Sequence, residues 1–298
     1  MTLLTVFTAP KPFTNPHITT IQCNAIQSWI HLGPEVEVYL MGNETGMEEV
    51  AEEFHVKHFP EVKCSDLGTP YISSMFELAR QTSDSPYLAI LNADILLMPD
   101  FVKATRQVGS QANEFLFLGR RWDLDVEQEL DFSQDWESRL RDDVKERGNL
   151  HGPVGSDYFL IPRELLVDMP EFTIGRSGWD NWTIYYAIKS GWQVVDVTRS
   201  AMIVHQNHDY GHLPGGKPPY DLPETKQNIT IAGGMRTMYT VLEANKILVD
   251  GKIKPSTMSL PRLLHKLELA VTKDDLKGIR KSVVRWLRKS RRKYENQL

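Results

Sequence analysis

Two cysteines in 298 residues, Cys23 and Cys64, are too few for a disulfide framework and suit a reducing compartment. No apolar run approaches the ~18 uninterrupted residues of a membrane-spanning helix. The opening MTLLTVFTAPKPF has no basic stretch ahead of its short apolar run, which ends at Pro10. It reads as a first strand and not as a secretory leader. The expectation is a soluble, cytoplasmic chain. Internal repeats and low-complexity segments are also missing. With 41% hydrophobic and 24% charged residues, the composition excludes a disordered or fibrous chain. It leaves room for one large α/β domain or two small ones.

Charge is unevenly spread. The net charge is −5, yet residues 271–298 hold ten Lys/Arg against three acids, a surplus of seven. The preceding 270 residues are therefore twelve units negative. An acidic body that would repel phosphate backbones argues against nucleic acid as a partner.

The first hundred residues alternate strand and helix signals. Thr2–Thr8 is a β-rich run ending at Ala9-Pro10-Lys11-Pro12, and Ile18–Leu32 has helical spacing up to Gly33-Pro34. Val36–Met41 reads as a strand, Glu48–Phe54 as an acidic helix, His55–Val62 as a weak strand and Tyr71–Gln81 as a helix. Tyr87–Leu91 is almost wholly apolar, as a buried central strand should be, and stops at Asn92-Ala93-Asp94. Such alternation predicts a parallel sheet with right-handed crossovers, whose ligands lie beyond the strands' carboxyl ends. Ala9–Phe13, Gly42–Glu44, Asp66 and Asn92–Asp94 would share that edge.

The alternation then breaks down. Phe115–Gly119 reads as a strand, and the charged segment Arg121–Arg147 as a surface excursion with helix in its second half. Tyr158–Ile161, Gln193–Val197 and Ala201–Val204 read as strands, and Trp182–Ser190, Thr237–Leu248 and Leu260–Thr272 as helices. Gly211–Asn228, rich in Gly and Pro, reads as a long loop.

Three clusters can carry chemistry. Asn92-Ala93-Asp94 at a strand end is either a turn or a hard-cation ligand. Asp180, between Trp179 and Trp182, is either a helix N-cap or a general base whose pKa the aromatic walls raise. His205, His208, Asp209 and His212 fall within eight residues at a strand end, a pattern that favours a ligand-binding loop. The spacing is not the HExxH of a zinc-protease helix.

Strand–helix alternation followed by Asn92-x-Asp94, Gly178-Trp179-Asp180 and Met202-x-x-His205, in that order, resembles the GT-A glycosyltransferases. The likeness spans roughly residues 1–210 and is closest to inverting β-galactosyltransferase-type catalytic domains and their family-2-like bacterial relatives. It implies an α/β fold with a Rossmann-like mixed sheet flanked by helices. A catalytic domain would cover residues 1–235, split near 100 into nucleotide and acceptor halves, with a helical C-terminal extension over 236–298. It implies Mn²⁺ or Mg²⁺ held by Asp94, His205 and Met202, with Asp180 as catalytic base. Asn92, standing where the family's first aspartate would be, keeps a hydrogen bond to ribose without a charge. Ala9, Pro10, Lys11 and Asp66 would surround base and ribose, Asp157 would contact the sugars, and His208 and His212 would close a loop over the donor. The implied activity is sugar transfer from a nucleotide-diphosphate sugar, with UDP the expected carrier, to a glycan or lipid-linked acceptor. A noncatalytic glycan- or nucleotide-binding module, a sugar-phosphate nucleotidyltransferase and a metal-dependent hydrolase are the rivals. The nucleotidyltransferase would need a Gly-rich basic loop after the first strand, and Ala9–Phe13 lacks one.

In the tail, Leu276, Ile279, Val283 and Trp286/Leu287 form an apolar stripe among Lys and Arg. Such a helix either binds an anionic membrane surface through residues 273–298, on the inner face of the membrane, or docks on the acidic body.

Overall fold

The structure is a computed structural model that describes residues 2–209, 221–272 and 277–295. Four parallel strands open the chain: β1 (Leu4–Thr8), β2 (Val36–Met41), β3 (Lys57–Phe59) and β4 (Tyr87–Leu91). All five residues of β1 are buried, as expected of a strand covered on both faces. Helix α1 (Pro16–Ile30) begins where Asn15 accepts the Ile18 amide at 3.1 Å and Pro16 sits at the first helical position, where its missing N–H costs nothing. Helices α2 (Met47–Glu53) and α3 (Ile72–Thr82) complete the crossovers, and α4 (Pro99–Gly109) follows β4.

The large sheet then departs from a purely parallel plan. It adds β6 (Phe115–Leu118), β9 (Tyr158–Pro162), β10 (Gln193–Asp196), β12 (Lys246–Val249) and β13 (Lys252–Pro255), in the order β13-β12-β10-β6-β9-β4-β1-β2-β3. β9 runs antiparallel between β4 and β6, so the sheet is mixed. Helix α6 (Trp179–Lys189) connects β9 to β10. Two buried apolar clusters cover the faces, one built around Trp29 and Phe101, the other around Phe76 and Phe172.

A second, four-stranded sheet lies at the carboxyl edge, ordered β5 (Ile95–Leu96), β11 (Val204–Gln206), β7 (Trp122–Leu124) and β8 (Asn149–Leu150). Helix α5 (Trp136–Arg147) packs on it through Trp136, Leu140 and Val144. The Trp29 indole N–H donates to the Ile95 carbonyl at 2.8 Å, anchoring this sheet to α1.

Several expectations are corrected. Arg121–Arg147 is no simple excursion, since it contains β7. The strand expected at Ala201–Val204 sits at Val204–Gln206, drawn there by pairing with β5 and β7. Helix α6 starts three residues before the expected Trp182, after Gly178 at φ 114°. Thr237–Leu248 is not a helix. Thr240 and Glu243 form a capping box on a single 3-10 turn, and Lys246–Val249 then enters the sheet as β12. The C-terminal segment is therefore not purely helical, because β12 and β13 finish the large sheet. The second part of the expected loop is helix α7 (Pro223–Ile231). Its first part, including Gly211 and His212, lies outside the described residues.

The chain ends in a hairpin of α8 (Leu260–Val271) and α9 (Gly278–Glu295). Glu268, 4% exposed, accepts from Arg288 at 2.7 Å and Arg291 at 3.1 Å, and Arg291 also pairs with Glu295. Val284 and Leu287 are buried, whereas Ile279, Val283 and Trp286 are 84%, 37% and 63% exposed. The tail thus docks through a buried charged ladder and turns most of its apolar stripe outward. Leu276 lies outside the described residues.

Candidate metal centre and cleft

The strand ends open onto a cleft of about 1430 Å³, lined among others by Lys11, Asn92, Asp94, Asp157, Asp180, His205 and His208. The Thr8 hydroxyl donates to the Leu91 carbonyl at 2.7 Å, locking the ends of β1 and β4 side by side. That lock brings Ala9–Lys11 and Asn92–Asp94, far apart in sequence, to one rim.

Asp94 stands immediately before β5, and His205 lies on β11, paired with Ile95. His208 Nε2 is 3.0 Å from Asp94 Oδ2 and His205 Nε2 is 3.9 Å from Asp94 Oδ1. One ligand atom from each of the three residues lies within 4.8 Å of the others. Burial opposes ionisation of Asp94, yet His205, His208 and Lys11 outweigh it and hold the carboxyl well below the usual carboxylate range. Asp94 Oδ1 is buried without a hydrogen-bond partner. A buried, ionised oxygen left unpaired costs free energy unless a cation completes it. The donor set of two imidazoles and one carboxylate fits a divalent transition ion such as Mn²⁺ better than Mg²⁺, which prefers all-oxygen ligands.

A second layer surrounds this group. The register of β11 against β7 places His205 beside Asp123, with Nδ1 3.5 Å from Asp123 Oδ1. Burial disfavours a charged His205, but Asp94 and Asp123 outweigh it and raise its pKa. A neutral His205 that keeps its proton on Nδ1, toward Asp123, would turn the Nε2 lone pair to the centre of the group. Asp123 Oδ2 meets His151 Nδ1 at 2.6 Å, and Arg121 Nε donates to Asp123 Oδ1 at 2.9 Å. Arg121 also pairs with Asp157, which accepts from the Asn92 side-chain amide at 2.8 Å. Asn92 brings no charge, but its amide holds the Asp157 carboxylate at the cleft.

Asp180 lies in the first turn of α6, not at its cap, which is Gly178. Burial pushes its pKa up to about 6; the backbone N–H groups of Asn181 and Gly178 moderate the rise and the Asp157 charge adds to it. This is an acid able to accept a proton near neutrality. Lys11 reaches His208 Nε2 at 3.3 Å; burial lowers its pKa against the pull of Asp94 and Asp209.

The remaining expected residues are placed as follows. Ala9 and Pro10 line the cleft beside Lys11. Asp66 is exposed in the Ser65–Thr69 turn and is not part of the lining, although Cys64, Leu67 and Thr69 are. Met202 packs against the apolar cluster under α5, so the third side chain gathered with Asp94 and His205 is His208. His212 falls outside the described residues. Arg121, Asp123 and His151 had no local signal, because only strand pairing across 82 residues makes Asp123 a neighbour of His205. Glu224 of α7, 4% exposed, accepts from Ser65 at 2.6 Å and Arg176 at 2.9 Å, clamping α7 to the turn after β3.

No family model matches the chain, and no curated protein matches it. Among solved structures, it is similar to glucosyl-3-phosphoglycerate synthase from Mycobacterium tuberculosis in complex with Mn²⁺, UDP and glucosyl-3-phosphoglycerate. The two share 16% identity and a TM-score of 0.44 over 87% of this chain and 88% of that one. GalNAc-T7 with UDP, GalNAc and Mn²⁺ is similar at 15% identity and a TM-score of 0.48, over 78% of this chain and 48% of that one.

Proposed function

We propose that this protein is a glycosyltransferase that moves a sugar from a nucleotide-diphosphate donor, with UDP as the carrier, to a hydroxyl of a glycan or lipid-linked acceptor. The observation that carries the reading is the pairing, in one cleft, of the Asp94–His205–His208 group with a carboxyl, Asp180, whose pKa lies near 6.

A sugar nucleotide departs as a diphosphate, so negative charge grows where the leaving group separates. Asp94, His205 and His208 would hold Mn²⁺ at that place, and a bound divalent ion supplies Lewis-acid stabilisation of the departing phosphates. Lys11, at the same rim, adds a cation from the chain itself. Asn92 and Asp157, linked at 2.8 Å, present a hydrogen-bonding floor for ribose and sugar hydroxyls. Ala9 and Pro10 wall the nucleotide base and ribose. Asp180 takes the proton of the acceptor hydroxyl as it attacks, which a carboxylate of ordinary acidity does less well. One base and one displacement give inversion at the anomeric carbon.

The outward stripe Ile279, Val283 and Trp286, among the cations of α9, suits an anionic membrane surface. No helix among the described residues is long and apolar enough to cross a membrane. Attachment through this stripe would be peripheral.

The test is donor turnover. The purified chain is incubated with UDP-, GDP- and dTDP-sugars, with Mn²⁺ or EDTA, and released nucleoside diphosphate is assayed. Release from one donor that requires metal and is lost in Asp94→Ala supports the reading. Nucleotide binding with no release under any acceptor condition would instead make the cleft a binding module.

A further inference from the structure

The cleft extends past the residues used above. Its volume of about 1430 Å³ exceeds the roughly 300–1,000 Å³ of a single-ligand pocket, which leaves space for a second ligand beside the donor. One wall belongs to the C-terminal hairpin: Glu268 of α8 and Arg288, Arg291, Arg292 and Glu295 of α9 all line it. Arg291 is 4% exposed and locked between Glu268 and Glu295, so it is a strut. Arg288, one turn before Arg292, keeps 42% of its side chain exposed while Glu268 props it. Arg292 is exposed and pairs with no acid among the described residues. Two acids against three arginines leave this wall one unit positive. The same cleft is also lined by Asp94, Asp157 and Asp180. An anionic group entering the cleft is attracted to the arginines and repelled by these carboxylates.

Resting on the proposed glycosyl transfer, we propose that Arg288 and Arg292 form an acceptor subsite that binds a phosphate monoester. Two guanidinium groups one helical turn apart offer the forked donors that match phosphate oxygens. The arginines hold the phosphate off the carboxylates that would repel it, and the acceptor's uncharged hydroxyl end is the part that Asp180 can accept. The phosphate could belong to a soluble sugar or polyol phosphate or to a polyprenyl phosphate; the chemistry at the wall is the same.

The experiment titrates glycerol 3-phosphate calorimetrically into the full chain, with and without saturating UDP and Mn²⁺. The variants are Arg292→Gln, which alters an exposed side chain and leaves the Glu268 ladder intact, and Arg288→Gln/Arg292→Gln. The expected result is a several-fold weaker affinity in the single variant and at least tenfold in the double, with UDP affinity unchanged. A parallel arm floats the protein with phosphatidylcholine vesicles carrying a polyprenyl monophosphate. Arginine-dependent flotation assigns a lipid source, and arginine-dependent binding of glycerol 3-phosphate alone assigns a soluble one. Equal binding by wild type and double variant in both arms overturns the subsite. If UDP fails to bind while the arginine-dependent phosphate affinity persists, the donor reading falls and the subsite stands.

Discussion

His205 Nδ1 lies 3.5 Å from Asp123 Oδ1 because β11 pairs with β7 in a register that sets these two residues side by side. The pairing turns the other ring nitrogen toward Asp94 and His208. Asp123 would then be a positioning residue for an ion held by Asp94, His205 and His208. Asp123→Asn should weaken Mn²⁺ affinity by about 10- to 100-fold, the usual effect of losing a carboxylate behind a metal-binding histidine. Manganese titration followed by electron paramagnetic resonance reads this directly. Unchanged affinity would make Asp123 a purely structural partner of Arg121 and His151.

As the proposed general base, Asp180 should set a pH dependence. A general base must be ionised to act, and burial has raised this carboxyl to about 6. The apparent kcat/KM should therefore fall with unit slope below pH 6 and level off above about pH 7. Asp180→Asn should remove that limb and lower kcat by roughly 10²–10⁴-fold, the usual worth of a positioned base. A limb that persists in the variant would assign the titration to another group.

The same residue should cost stability. Its folded-state pKa is raised, so folding is favoured by the protonated form; that contribution is complete below about pH 4 and lost as pH rises through 6. Above pH 6 the ionised carboxyl is a burden. Asp180→Asn should stabilise the protein by on the order of 1–3 kcal/mol at pH 8, with little change at pH 4. Denaturant melts at the two pH values would show it. Equal effects at both would mean that the carboxyl is not strained by burial.

Much of this was legible in the sequence and some was not. Strand–helix alternation through Leu91, and the places of Asp94 and His205, follow from local patterns: apolar runs, breakers and residues crowded at strand ends. The antiparallel β9, the two-residue β5 and β8, and the gathering of Arg121, Asp123 and His151 depend on pairings between distant segments that leave no periodic trace. Met202 fits the family spacing, yet apolar packing under α5 draws its side chain to that cluster. The shift at Thr237–Leu248 has a similar cause, since helical spacing there yields to the pairing of β12 with β10 and β13.

The hairpin offers a fourth check. Glu268 is nearly fully buried and receives two arginines, so Glu268→Ala leaves buried Arg291 with Glu295 as its one remaining acid among the described residues. A loss of about 3–5 kcal/mol is expected from breaking a buried pair on one side only. Trp286→Ser, at a residue 63% exposed, should leave the melting temperature within a degree or two while reducing flotation with anionic vesicles. Wild-type flotation in Trp286→Ser would contradict the membrane role of the stripe.

The central claim is that Asp94, His205 and His208 hold a divalent ion against a nucleotide-sugar donor. Its most direct test is nucleoside diphosphate release from a UDP-sugar by the wild type and Asp94→Ala, each with Mn²⁺ or EDTA. The account predicts metal-dependent release that EDTA abolishes and that falls at least 10³-fold in the variant. Release that proceeds equally in EDTA and in Asp94→Ala would contradict it.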